Sequence, residues 1–167
     1  MTPKQKLTAW VGAGAVASLV GFTSIKEGTI LKTYRDPVNI LTACTGETRF
    51  VVKPGDIVPG ATFTRQQCED RLIESLWEHA EPVIRCTAPA QLTQGQKIAF
   101  TDFAFNAGGA NFCNSSMARK AKAGDVQGSC DALLQWRFAG GKDCALPGSN
   151  CAGIWIRRKE EHAICLR

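Results

Sequence analysis

From Leu7 to Ile25 the chain carries no charged residue, a run of 19 positions with Lys4 and Lys6 before it and Lys26 and Glu27 after it. As a helix, such a run is about long enough to cross bilayer hydrocarbon. It is weakly apolar, however. Eight of its residues are strongly hydrophobic (Leu7, Trp10, Val11, Val16, Leu19, Val20, Phe22 and Ile25), and the other eleven are Ala, Gly, Ser or Thr. Small and hydroxyl side chains gain little on transfer to lipid. Four readings compete: a weak anchor that inserts and later leaves, a signal peptide cleaved at Ala15-Val16-Ala17, a stable anchor, and a buried core helix. Length and polarity favour the weak anchor. The leading lysines then hold the N-terminus in the cytoplasm and send the body across. This divides the chain into an N-terminal segment, 1–26, and a body, 27–167.

Residues 29–63 have an extended, turn-rich texture. Tyr34-Arg35-Asp36-Pro37-Val38-Asn39 contains a turn signal, and Ile40-Leu41-Thr42-Ala43-Cys44 follows as a strand candidate. Phe50-Val51-Val52 and Pro54-Gly55-Asp56 repeat that texture, so a small antiparallel sheet is expected. After residue 63 the spacing becomes helical. Thr64-Arg65-Gln66-Gln67 is a capping box opening a helix that Glu81-Pro82 should end, with Leu72, Ile73, Leu76, Trp77 and Ala80 on one face. Thr93-Gln94-Gly95-Gln96 opens a second helix, apolar around most of its circumference and stopped at Gly108-Gly109, as expected of a central buried helix. Shorter helices are expected near 115–122, from 125 to 138 with an end at Gly140-Gly141, and from about Ile156 to Cys165. The fold class is therefore α+β, a small antiparallel β lobe and a larger helical lobe with a cleft between them.

Composition narrows the setting. The chain has 167 residues, 44% of them hydrophobic, and a formal charge of +5. One globular domain is the prior, and a disordered, collagen-like or polytopic membrane chain is excluded. All eight cysteines (Cys44, Cys68, Cys86, Cys113, Cys130, Cys144, Cys151 and Cys165) lie after the uncharged run. An even count in an exported body reads as disulfides. No C-x-x-C occurs and the only histidines are His79 and His162, so neither metal nor cofactor is expected. Eight cysteines permit on the order of a hundred pairings. Only Cys144 and Cys151, flanking the turn-rich Ala-Leu-Pro-Gly-Ser-Asn, suggest a local bridge.

Candidate chemistry begins just past the run. Asp36 follows Glu27 by nine positions, and Thr42 follows Asp36 by six. Glycoside hydrolysis needs a proton donor on one side of the bond and a second carboxylate on the other. A helix end carrying Glu27 could face a hairpin carrying Asp36, with the Thr42 hydroxyl holding water. On their own, two carboxylates at this spacing read equally as solvated surface acids.

The stretch Glu27-Gly28 … Tyr34-Arg35-Asp36 … Leu41-Thr42-Ala43-Cys44-Thr45-Gly46-Glu47-Thr48 resembles the phage-type lysozymes, whose pattern is E-x8-D-x5-T. Four further segments resemble that family in order: Phe100 to Gly108, Asn111 to Ser116, Trp136 to Gly141, and Gly153 to Leu166 with Arg157, Arg158 and Glu161. The resemblance implies a lysozyme-like fold and cleavage of the β-1,4 bond between N-acetylmuramic acid and N-acetylglucosamine in peptidoglycan. Glu27 would be the general acid, Asp36 the base or charge stabiliser, and Thr42 the holder of the attacking water. Arg157 matches an arginine that packs against the acid; Asn106 and Trp136 match cleft positions, with a helix-surface amide and a core indole as the plain readings. Glu47 departs from the family's usual histidine, which puts the anchoring of the hairpin in question. His79 and His162 carry no motif and read as structural or surface residues.

The run abutting Glu27 is similar to the arrangement in signal-anchor-release endolysins. Such a protein would use the host secretion machinery, sit inactive in the inner membrane through residues 7–25, and act in the periplasm of a Gram-negative host, as a monomer without nucleic-acid partners. With no cysteine before Cys44, a lock by disulfide exchange is excluded, leaving a topological one. A lytic transglycosylase and a non-catalytic module binding anionic envelope polymers are the rival functions.

Overall fold

The computed structural model describes residues 1–36, 39–48 and 58–167. The strand and turn expected at 50–56, and Pro37 and Val38 of the hairpin turn, lie outside them.

The uncharged run forms two helices. Helix α1 (Pro3–Val11) opens on a Thr2 capping box closed by Gln5, and α2 (Ala13–Glu27) follows after a 106° bend. Gly12 makes that bend, ending one helix and starting the next at φ 93°, a conformation costly for any residue with a Cβ. No single helix among the described residues is long and apolar enough to cross a membrane; the bent pair passes that test only jointly. The pair packs on the body. Leu7, Val11, Ala15, Val16 and Leu19 share a buried cluster with Leu72, Ile73, Leu76, Ala80 and Ile98.

A hairpin follows: β1 (Ile30–Arg35) pairs antiparallel with β2 (Leu41–Cys44), setting Tyr34 opposite Thr42 and Arg35 opposite Leu41. Two long helices then build the larger lobe. Helix α3 (Arg65–Thr87) is capped by Thr64 and Gln67, and α4 (Gln94–Ala107) by Thr93 and Gln96, as their sequences lead one to expect. Helix α4 is the central one, with Ala99, Phe100, Phe103 and Ala104 fully buried.

Three expectations are corrected. Pro82 does not end α3, which runs a further turn to Thr87. Its ring lies against Gly109, where a Cβ would approach Pro82 Cγ to 2.5 Å, and the turn beyond it is tied by Cys86–Cys113. Tertiary contact thus outweighs the hydrogen bond that proline removes. Next, after α5 (Gly109–Cys113), α6 (Ser116–Lys122) and α7 (Val126–Asp131), the chain passes through a 3₁₀ turn (Ala132–Gln135) and leaves helical conformation. Gly140 and Gly141, at φ 54° and 77°, turn a small hairpin, β3 (Phe138–Ala139) to β4 (Lys142–Asp143), rather than ending a helix. Finally, the last helix, α8 (Ala152–Cys165), starts four residues before the expected Ile156.

All eight cysteines are paired. Cys44–Cys68 ties the hairpin to the start of α3, Cys130–Cys165 ties α7 to the end of α8, and Cys144–Cys151 closes the expected small loop. Glu47 makes an ion pair with Arg71 of α3 at 3.8 Å. That pair and Cys44–Cys68 anchor the hairpin.

Candidate active site

Glu27 is the last residue of α2, so the helix built from the uncharged run carries the candidate acid at its C-terminal end. Its side chain is 25% exposed and its Oε1 accepts a hydrogen bond from Arg157 Nη1 at 2.5 Å. Arg157, on α8, turns its other edge inward. Nε and Nη2 donate to the two oxygens of Asp102 at 2.9 and 3.0 Å. Asp102 lies on α4 with no exposed surface. The network continues: Arg158 donates to Glu161 at 2.7 Å and to Asn106, and its guanidinium lies over the Phe103 ring.

Three carboxylates, Glu27, Asp102 and Glu161, therefore face two guanidiniums. Burial works against the charge on Arg157, but hydrogen bonds and charge from Asp102, then from Glu27, outweigh it and raise the guanidinium further above its ordinary range. Burial pushes the Glu161 carboxyl well above the carboxylate range, opposed by the Arg158 charge and assisted by Asp102.

Two cavities meet at Glu27 and Asn106. One, of about 280 Å³, runs under the hairpin and is lined also by Thr45, Gly46, Glu47, Thr48, Ser75, His79 and Phe105. The other, of about 640 Å³, lies toward α8 and the bridged loop, with Ile25, Asn150, Ile154, Ile156 and Arg157 in its wall. Glu27 and Asn106 thus line both cavities, with the Glu27 carboxyl between the hairpin side and the α8 side.

Glu27, Asn106 and Arg157 are brought together here. Asp36 and Thr42 sit on the hairpin and are not among the described residues lining either cavity. Asp36 is oriented by its own turn: its Oδ1 accepts from the Ile40 amide at 2.8 Å. Thr42 is buried on β2, and its hydroxyl donates to the Ile40 carbonyl at 3.1 Å. Trp136 packs edge-on to Phe103 at 5.0 Å. His79 lines the smaller cavity while its Nδ1 meets the Ser75 carbonyl at 2.7 Å; His162 pairs with Asp131 on the surface. No group of three or more side chains suited to a metal ion occurs among the described residues.

Sequence reasoning missed Thr23 and Asp102. The Thr23 hydroxyl, fully buried on α2, lies 2.7 Å from Asp102 Oδ1 and 3.0 Å from the Leu19 carbonyl, and its one hydrogen goes to the nearer, charged acceptor. A lone carboxylate in the apolar run Ile98 to Phe105 was the available signal, because a buried charge needs partners.

Comparison with known proteins agrees with this architecture. The phage lysozyme family model matches residues 24–161. A SAR-endolysin of Bacteriophage PS119 is 36% identical over 162 residues, covering 93% of this chain and 87% of that one. Among solved structures, a P22 lysozyme superposes with a TM-score of 0.76 at 29% identity, over 90% of this chain and 97% of that chain. The active form of a P1 phage endolysin shares the fold, with a TM-score of 0.72 at 21% identity over 99% of this chain and 94% of that one.

Proposed function

The chain belongs to the phage lysozyme family, and from that premise we propose how this lysozyme-type glycoside hydrolase, a phage endolysin, works and is held in check. The substrate is peptidoglycan, cut at the β-1,4 bond between N-acetylmuramic acid and N-acetylglucosamine. Glu27 is the general acid. Arg157 engages its Oε1, so Oε2 is the oxygen that carries the proton to the departing glycosidic oxygen. Asp36 takes a proton from the attacking water, or stabilises the positive charge that develops on the sugar. The Thr42 hydroxyl gives its hydrogen to Ile40, so it meets that water with a lone pair. Water donating to Asp36 and Thr42 keeps its own lone pair for the anomeric carbon. Asn106 and Arg157 support the site, and Trp136 stiffens the wall behind it.

Residues 1–26 act first as a topogenic segment. Host secretion machinery inserts 7–25 into the inner membrane with the N-terminus cytoplasmic, and 27–167 folds in the periplasm of a Gram-negative host. While the run is in lipid, Glu27 is held at the membrane surface and the cleft is incomplete. Release lets the run pack as α1 and α2, giving an active monomer. The observation that carries this reading is the position of Glu27. It is the terminal residue of the helix formed by the uncharged run, and is hydrogen-bonded to the body through Arg157. Mass spectrometry of digested cell wall tests the chemistry: reducing-end fragments are expected, whereas anhydro sugars would indicate a transglycosylase and no product a binding module.

A further inference from the structure

We propose that Thr23 and Asp102 are positioning residues for the catalytic acid, acting on Glu27 through the Arg157 guanidinium; this rests on Glu27 being that acid. A guanidinium is planar, so fixing two of its nitrogens fixes the third. Asp102 holds Nε and Nη2 of Arg157, and Nη1 is thereby aimed at Glu27 Oε1. Asp102 must itself be held. It is fully buried, and the Thr23 hydroxyl donates to its Oδ1, with the Glu161 carboxyl also within hydrogen-bonding reach of its side chain.

Thr23 and Glu27 are four residues apart on α2, hence on one helix face. The same face therefore presents the hydroxyl to Asp102 and the acid to Arg157, closing a ring of contacts through α2, α4 and α8. A slip or rotation of α2 breaks both contacts together. The released segment thus supplies the acid and also the hydroxyl that sets the partner against which the acid is aligned. Lys26, between them, is bound to Glu160 of α8 and steadies the same helix end.

The test uses the purified full-length chain and soluble glycan fragments of peptidoglycan, comparing Thr23→Val, Thr23→Ala, Thr23→Ser and Asp102→Asn, with Glu27→Gln alongside. Misplacing a reacting group by about an ångström costs up to about a hundredfold in rate. Variants lacking the Thr23 hydroxyl, and Asp102→Asn, are expected to lose about ten- to a hundredfold in kcat with KM changed less than about twofold. Thr23→Ser, which keeps the hydroxyl, restores kcat. Thermal melting identifies the folded variants, and Thr23→Ala is read if Thr23→Val does not fold. Full kcat in a folded hydroxyl-free variant, a loss confined to KM, or no rescue by Thr23→Ser would overturn the proposal. An inactive Glu27→Gln beside a fully active Thr23→Val would refute the relay alone; an active Glu27→Gln would refute the acid assignment beneath it.

Discussion

Four disulfides bind the body of this endolysin, reaching from Cys44 to Cys165, whereas residues 1–27 contain no cysteine. The first region is stapled. The second is held by packing and a few polar contacts: Leu7, Val11 and Leu19 against α3, the Gln94 amide on the Val11 carbonyl at 2.9 Å, Lys97 over Trp10, Thr23 on Asp102, and Glu27 on Arg157. A segment that passes from lipid to protein cannot be tied covalently to its destination beforehand. A body that waits in an oxidising compartment can be stiffened in advance. The difference in bonding thus matches the two lives proposed for the two regions.

The largest effect on the comparison comes from the residue where the regions join. Glu27→Gln keeps the side-chain shape and the contact to Arg157 but removes the acid, so kcat should fall by about 10²–10⁴-fold while the melting temperature holds. Steady-state kinetics beside calorimetry check this. Next comes the stapled region. The three long bridges close separations of 24, 27 and 35 residues. The chain-entropy estimate for such loops is about 3–4 kcal/mol each. Mild reduction should therefore lower the melting temperature more than any single substitution in the run. An equal drop from a run variant would erase the contrast.

Two core leucines sharpen it further. Leu19 on α2 and Leu133 of the body are both fully buried. Truncation of either to alanine should cost about 2–5 kcal/mol. Only Leu19→Ala should expose the run to limited proteolysis under native conditions and reduce activity in step. The smallest effect concerns Glu161. Its carboxyl is raised above the ordinary value of 4.5, so the folded state keeps a proton that the unfolded chain releases. That contribution to stability is complete below the unfolded value and is lost as pH rises through the folded one. Glu161→Gln removes the titration. Its melting temperature should therefore fall less steeply than that of the native chain as pH rises from 4.5.

What could be read from the sequence was mostly local. Thr64 with Gln67 and Thr93 with Gln96 announce helix starts because each capping box closes within four residues. Glu27, Asp36 and Thr42 stand out through a spacing shared with a family. Pro82 reads as a helix end from its neighbours alone, because its support, Gly109 and the Cys113 end of the Cys86–Cys113 bridge, comes from another helix. The Gly140-Gly141 pair fits a helix stop or a hairpin equally well until its strands are seen to pair. Asp102 stayed hidden because its partners, Thr23 and Arg157, are 79 and 55 residues away. The folded position of the run was least accessible of all, since a weakly apolar segment satisfies lipid and a protein core alike.

That duality supplies the most direct test. Cells making the protein can be separated into membrane-bound and soluble periplasmic pools. The specific muralytic activity of each pool is then measured on molecules whose intact mass shows where they begin. The account predicts a soluble pool that starts at Met1 and is active, and a membrane pool of the same mass that is inactive. Equal activity in both pools, or a soluble active form starting at Ser18, would contradict it.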